Sequence, residues 1–205
     1  MDNERFNKAA ETWDDNPHRR KMTAAVASAL IDDGFFDQSD SLTMLEYGCG
    51  TAALSVMLYD RLEHILAADS SAGMIQQVKK KIVELGLKKI DAVLYDATTD
   101  PVIPGGFDRI VSVMALHHIP DEKRVIGVLA KLLNPGGKLI IVDLLTEDGT
   151  FHSPDQPVPH HGFNPDALSG VFRNSGLVNT DYRIIHHIQK NEREYPLFRL
   201  SGNCP

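Results

Sequence analysis

The apolar positions along this chain change their period twice. Phe6, Ala9, Ala10 and Trp13 recur at i, i+3, i+4 and i+7, the spacing of one helix face. Asn16-Pro17 ends that stretch, because the residue before a proline is pushed out of the helical region. A second helix is predicted from His18 to about Asp33. Met22, Ala25, Val26, Ala29 and Leu30 form its apolar face, and Gly34 is its cap.

From Leu42 the pattern becomes strand, turn and helix in repetition. Strands are predicted over 42–47, 65–68 (ending at Asp69), 90–95 (ending at Asp96), 107–113 and 139–144. The first intervening helix runs to about Arg61. The next carries Met74, Ile75, Val78, Ile82 and Leu85 and closes at Gly86, and the last begins at Pro120-Asp121. Asn134-Pro135-Gly136-Gly137 reads as a tight turn into the fifth strand. Short apolar strands alternating with helices predict a parallel sheet covered on both faces. Residues 146–162 are polar and rich in Pro, Gly and His, a loop long enough to suggest a functional one. Asn164-Pro165 starts a further helix that stops at Gly176. Strands over 181–189 and 195–201 then face each other across Lys190-Asn191-Glu192-Arg193, a connection short enough only for antiparallel pairing. The expected organisation is an α/β fold with a helical cap over 1–41 and one compact unit over 42–205.

Composition narrows the partners. The 205 residues hold 21 Lys+Arg against 28 Asp+Glu, a net charge of −7, which disfavours nucleic acid and membrane surfaces. The two cysteines, Cys49 and Cys204, make neither a disulfide framework nor a C-x-x-C metal pair. The start, Met1-Asp2-Asn3-Glu4, lacks the features of a secretory leader, and the longest apolar run, Leu139 to Val142, is broken by Asp143. The expectation is a cytoplasmic protein, monomeric or homodimeric, without a metal.

Candidate chemistry begins at Gly48-Cys49-Gly50, which joins a buried strand to a helix. Glycines there permit a tight turn and let a ligand touch the backbone. Asp69, 21 residues beyond Gly48, ends the next strand, where it can accept from ribose hydroxyls. Gly48, Gly50 and Ala53 also satisfy G-x-G-x-x-G/A, so a dinucleotide fits the glycines alone, as does a turn without a ligand. Three features favour a different nucleoside. Glu46 lies two residues before Gly48, where a pyrophosphate would be repelled and a sulfonium or ammonium group would not. Asp96 can accept from an adenine amino group, and no second domain is visible to hold a hydride partner.

The segments Leu45-Glu46-Tyr47-Gly48-Cys49-Gly50-Thr51, Ala68-Asp69-Ser70-Ser71, Tyr95-Asp96-Ala97, Phe107 to Ser112, Leu116-His117-His118 and Leu133 to Leu139 occur in order across 42–143. Together they resemble the class I S-adenosylmethionine-dependent methyltransferases of the small-molecule type. The resemblance implies a Rossmann-like, doubly wound, mostly parallel seven-stranded sheet with a terminal antiparallel hairpin. It implies that Gly48, Cys49 and Gly50 lie against the methionine moiety and that Glu46 favours its positive end. Asp69 and Ser70 would meet the ribose, Met74 the adenine face, Asp96 and Ala97 the adenine edge, and Met114 the methionine moiety. Ala52 departs from the family, which often has glycine there. Trp13, in a segment similar to the family's cap, would cover the cofactor or substrate; stapling the cap to the core explains a lone Trp equally well.

Nine histidines include the pairs His117-His118, His160-His161 and His186-His187. The first follows the fourth strand and the second lies in the long loop, so both are expected to line an acceptor pocket. The third is within a strand, its members on opposite faces. Methyl transfer is an in-line displacement at a sulfonium, and alignment and desolvation supply much of it. A base is needed only where the acceptor must lose a proton, a task for His117 or His118 with His160 or His161. Convergence of these two pairs on a divalent ion is the minority reading. Ser112-Val113-Met114-Ala115 stands where enzymes that methylate adenine or glutamine amides carry an N-P-P-Y/F segment, which favours a small-molecule acceptor. The rival classes are a nicotinamide-dependent oxidoreductase and a non-catalytic S-adenosylmethionine-binding module.

Overall fold

The computed structural model describes residues 3–36 and 41–205; Met1, Asp2 and 37–40, beside the expected cap boundary, lie outside the described residues. Segments, most of them rich in apolar and β-branched residues, form β1 (Thr43–Tyr47), β2 (His64–Asp69), β3 (Ile90–Leu94), β4 (Phe107–Val113), β5 (Leu133–Leu144), β6 (Val178–Lys190) and β7 (Arg193–Asn203). Among the described residues these make one sheet in the order β3-β2-β1-β4-β5-β7-β6. β1 to β5 pair in parallel, and β7 runs antiparallel to both neighbours. The strand order reverses between β1 and β4, the switch point at which open α/β sheets bind ligands.

Both faces of the inner strands are buried, as their near-continuous apolar sequences require, while the edge strands β3 and β6 are largely exposed or half-buried. On β5, Ile140 and Val142 join one core with Met44, Ile65, Leu30 and Phe36. Leu139 and Ile141 join the opposite core with Leu45, Ile110, Leu129 and Phe172. The helices are α1 (Asn3–Ala9), α2 (Pro17–Asp32), α3 (Ala53–Leu58), α4 (Ala72–Leu85), α5 (Glu122–Lys131) and α6 (Pro165–Asn174). Their ends carry the expected chemistry. Asn16, Ser71, Asp121 and Asn164 accept from the first-turn amides of α2, α4, α5 and α6, and Gly86 closes α4 at φ +64°. No described helix is long and apolar enough to cross a membrane.

Two expectations need correction. The first apolar stripe is not one helix: α1 ends at Ala9 and the chain tightens into a 3₁₀ turn over Ala10–Asp15. That turn keeps Trp13 edge-on to Phe6 at 5.9 Å. The Asn134-Pro135-Gly136-Gly137 turn lies inside β5 as a wide irregularity, since pairing with β4 steps from Phe107↔Leu133 to Arg109↔Lys138. The C-terminal segment pins it, with Gly136 N donating to Cys204 O and Cys204 N to Gly137 O at 3.0 and 2.8 Å.

Candidate active site

A cavity of about 540 Å³ opens beyond the C-terminal ends of β1, β2 and β4. Its first end is the glycine loop. Gly48 and Gly50 have φ of +69° and +53°. A Cβ on Gly48 would stand 2.4 Å from the Ala115 Cβ, so only glycine closes this turn against the chain after β4. The Asp69 carboxylate spans the loop: it accepts from Gly50 N and Ser71 N, both at 2.8 Å. Burial pushes its pKa up. Beneath the loop, Glu46 is buried and accepts from Ser55 N at 3.0 Å and from the Ser55 hydroxyl. Burial pushes Glu46 up to about 7, so it sits at the edge of ionisation near neutral pH. Cys49 is also buried, its thiol held well above its ordinary value by burial, and Met74 and Ser70 complete this wall. Met114, at φ +54°, also lines the cavity.

The cap closes the cavity from above. Asn7 accepts from Gly73 N and Ser71 Oγ at 2.8 and 2.7 Å, seating α1 on the start of α4. Thr51 Oγ1 and Lys81 Nζ both bond Asp14, at 2.6 and 2.8 Å. Trp13 does both things considered for it. It lines the cavity, and its Nε1 lies 3.6 Å from where a Cβ on Gly50 would be. It also packs on Phe6 and under the Arg19 guanidinium at 3.7 Å.

The second end of the cavity is made of imidazoles. His117 is buried, with Nδ1 2.6 Å from the fully buried Asp143 carboxylate. Asp143 also accepts from the backbone of His117 and Leu144, at 3.2 and 2.8 Å. A carboxylate so placed puts the His117 ring proton on Nδ1 and the lone pair on Nε2. Nε2 is buried without a hydrogen-bond partner among the described residues, as is Nε2 of His152. His118 packs 4.1 Å from His117 and edge-on to Phe6 at 5.1 Å between ring centroids. Burial first, then neighbouring imidazoles and Arg5, hold His118 down at about 2. Burial and His117 hold His152 down at about 4. Both rings are therefore neutral at neutral pH.

The structure does not bring every expected residue to this cavity. His160 and His161 lie outside its wall. The loop is tied along the end of β5 by Glu147 N to His161 O and Phe163 N to Leu144 O, both 2.9 Å, which turns the pair away. His160 Nε2 instead meets Ile119 O at 2.9 Å, and His161 lies 3.4 Å from Glu147. His152 occupies the place given to them. Asp96 and Ala97 are also outside the wall. Asp96 accepts from Thr98 N and Oγ1 in a local turn, and the Ala97 N–H donates to the Tyr47 hydroxyl at 3.2 Å. Sequence reasoning missed Asp143, His152 and Lys81. The signal for Asp143 was available: like Asp69, it is a charged residue near the end of an apolar strand at the sheet's open edge.

Known proteins align with this geometry. The methyltransferase-domain family matches residues 44–137. An uncharacterised methyltransferase of Schizosaccharomyces pombe is 32% identical over 161 residues, covering 71% of this chain and 57% of that protein. A demethylmenaquinone methyltransferase of Listeria monocytogenes is 27% identical over 103 residues, covering 49% and 44%. The chain thus spans roughly half the length of these curated relatives. Among solved structures, a SAM-dependent methyltransferase from Aquifex aeolicus superposes over 100% of both chains with a TM-score of 0.70 at 16% identity, a likeness of fold.

Proposed function

The chain belongs to the class I S-adenosylmethionine-dependent methyltransferases, and on that premise we propose that it transfers the sulfonium methyl group to a small-molecule acceptor bound at the imidazole end of the cavity. The observation that carries this reading is one cavity with two chemically distinct ends. At the first, the Asp69 carboxylate receives the ribose hydroxyls beside Ser70, and Met74 packs on the adenine. Gly48, Cys49 and Gly50 admit the methionine moiety, whose positive charge favours ionised Glu46. Met114 and Trp13 shape the passage between the ends. An adenine reaching toward Asp96 would have to take the Ala97 N–H from the Tyr47 hydroxyl.

At the second end the His117 Nε2 lone pair, oriented by Asp143, accepts the acceptor's proton as the methyl arrives. His160 is a positioning residue, bonded to the chain on either side of that turn: its N–H donates to His117 O at 3.3 Å. Arg5, Arg19 and Lys190 line the cavity of an otherwise acidic chain, which favours an acceptor bearing an anionic group. The similarity to the demethylmenaquinone methyltransferase of Listeria monocytogenes supports a small-molecule acceptor. A cytoplasmic location and a monomer or homodimer complete the reading.

Calorimetric titration with S-adenosylmethionine, S-adenosylhomocysteine and NAD tests it. Both sulfur compounds should bind in the micromolar range, and Asp69→Ala should weaken them about 100-fold or more, the loss of two charged hydrogen bonds. Binding of NAD alone would overturn the reading in favour of an oxidoreductase. Cofactor binding without turnover on any acceptor would leave a binding module.

A further inference from the structure

We propose that His117, His118 and His152 form a three-histidine site for a divalent transition-metal ion such as Zn²⁺. Each ring offers one nitrogen, and these nitrogens lie within 4.8 Å of one another. An ion about 2.0–2.1 Å from each requires them to close to about 3.4 Å, a side-chain adjustment. Two of the rings expose the right atom: Nε2 of His117 and Nε2 of His152 are buried and unpartnered among the described residues. A buried nitrogen lone pair without a partner is costly, and a metal satisfies it. Behind His117 stands Asp143, its carboxylate 2.6 Å from Nδ1. That arrangement, a carboxylate fixing the far side of a ligating imidazole, sets the tautomer and raises the basicity of the metal-facing nitrogen. Arg5 and Lys190 press on this end with positive charge, and Asp143 supplies the opposing one. Three protein ligands leave a fourth position open toward the cavity, the pattern of a working rather than a purely structural site.

Binding of the ion stands on this geometry alone; its role rests on the methyl-transfer reading. With an ion bound, the His117 lone pair is a ligand and not a base. The acceptor then binds as its conjugate base, its proton passing to solvent water, because the cation stabilises that anion beside the methyl donor. The chemistry suits a hydroxyl or thiol acceptor, whose anion is a ligand in its own right.

The test is titration of untagged, chelator-stripped protein with Co²⁺, read by visible absorption, and with Zn²⁺ by competition. One equivalent should bind and give the intense absorption of a four- or five-coordinate site. His152→Ala, in the loop, should weaken binding about 100-fold or more, and Asp143→Asn about 10–100-fold through the ligand it orients. His187→Ala, on β6, should leave affinity unchanged. S-adenosylhomocysteine titration of each metal-free variant reports whether it is folded, and separates the two readings. Cofactor binding without a stoichiometric Co²⁺ signal overturns the metal site, as does Co²⁺ affinity equal in His152→Ala and the parent chain. Co²⁺ binding without cofactor binding keeps the site and removes the methyl-transfer role.

Discussion

The two ends of the cavity solve opposite electrostatic problems. At the glycine-loop end two carboxylates are buried, and burial raises both Glu46 and Asp69. At the other end imidazoles are buried, and burial lowers His118 and His152. The first end is a set of acids prepared for a cationic ligand, the second a set of neutral bases prepared to take a proton or an ion. The backbone differs too. Asp69 holds amides from the loop after β1 and from the start of its own strand–helix unit, whereas the second end draws on three separate segments: His117 and His118 after β4, Asp143 at the end of β5 and His152 in the long loop. The division of labour is therefore a claim that substitutions at one end should spare the other.

The strongest test is a double dissociation. His117→Asn should lower turnover about 10²–10⁴-fold, the usual loss on removing a positioned base, while the S-adenosylmethionine Kd stays within about threefold. Asp69→Ala should do the reverse to binding. A His117 variant that lost cofactor affinity as well would collapse the two ends into one.

Next in size is a substitution at their seam. Gly48 of the loop touches Ala115, two residues before His117, and the built Cβ contact of 2.4 Å leaves no room for a methyl group. Gly48→Ala should destabilise by about 2–5 kcal/mol in urea unfolding, from the left-handed backbone and the overlap together. Adding Ala115→Gly should return the steric share and leave about 1–2 kcal/mol. If the double variant is no better than the single one, the seam is not where the ends are joined.

These ends were unequally legible in the sequence. Glu46, Gly48, Gly50 and Asp69 are set by one strand–turn–helix unit and the next strand end, so local rules reach them. The parallel strands, the terminal antiparallel hairpin and the caps at Gly86 and Asn164 followed from the same rules. The imidazole end needed the path of a 17-residue loop, 146–162, fixed by tertiary hydrogen bonds to β5. Pairing in sequence drew attention to His160-His161, while the solitary His152 reached the cavity. Asp96 and Ala97 show a related effect: a local turn and the Tyr47 hydroxyl engage the groups through which they were expected to meet the adenine.

The pH dependence of stability should carry both signs. Glu46 binds its proton more tightly folded, with a pKa of about 7 against an ordinary value of 4.5. Its contribution is present below about 4.5 and is lost as pH rises through 7, about 3 kcal/mol in all. His118 and His152, lowered from 6.5, contribute stability present above 6.5 and lost as pH falls toward about 2 and about 4. Between pH 6.5 and 4.5 the ends therefore oppose each other. Thermal melts of Glu46→Gln should show a steeper loss on acidification than the parent chain, and melts of His152→Gln a shallower one. Equal slopes would mean that neither end is buried as described.

The smallest effect concerns the departure at Ala52. The residue stands at φ 57° and ψ 35°, the left-handed region, immediately before α3, and it is buried. An alanine there costs about 1–2 kcal/mol relative to a relaxed backbone. Glycine removes that cost but adds unfolded-state entropy worth about 0.5–1 kcal/mol, so the two nearly cancel. Ala52→Gly should therefore stabilise by less than about 1 kcal/mol. Because Ala52 N donates to Cys49 O at 2.8 Å, the gain belongs to the glycine-loop end. It should sharpen cofactor affinity slightly and leave the Co²⁺ affinity of the histidines untouched. A change in metal affinity would show that strain in the loop is felt across the seam, and that the two ends are mechanically one.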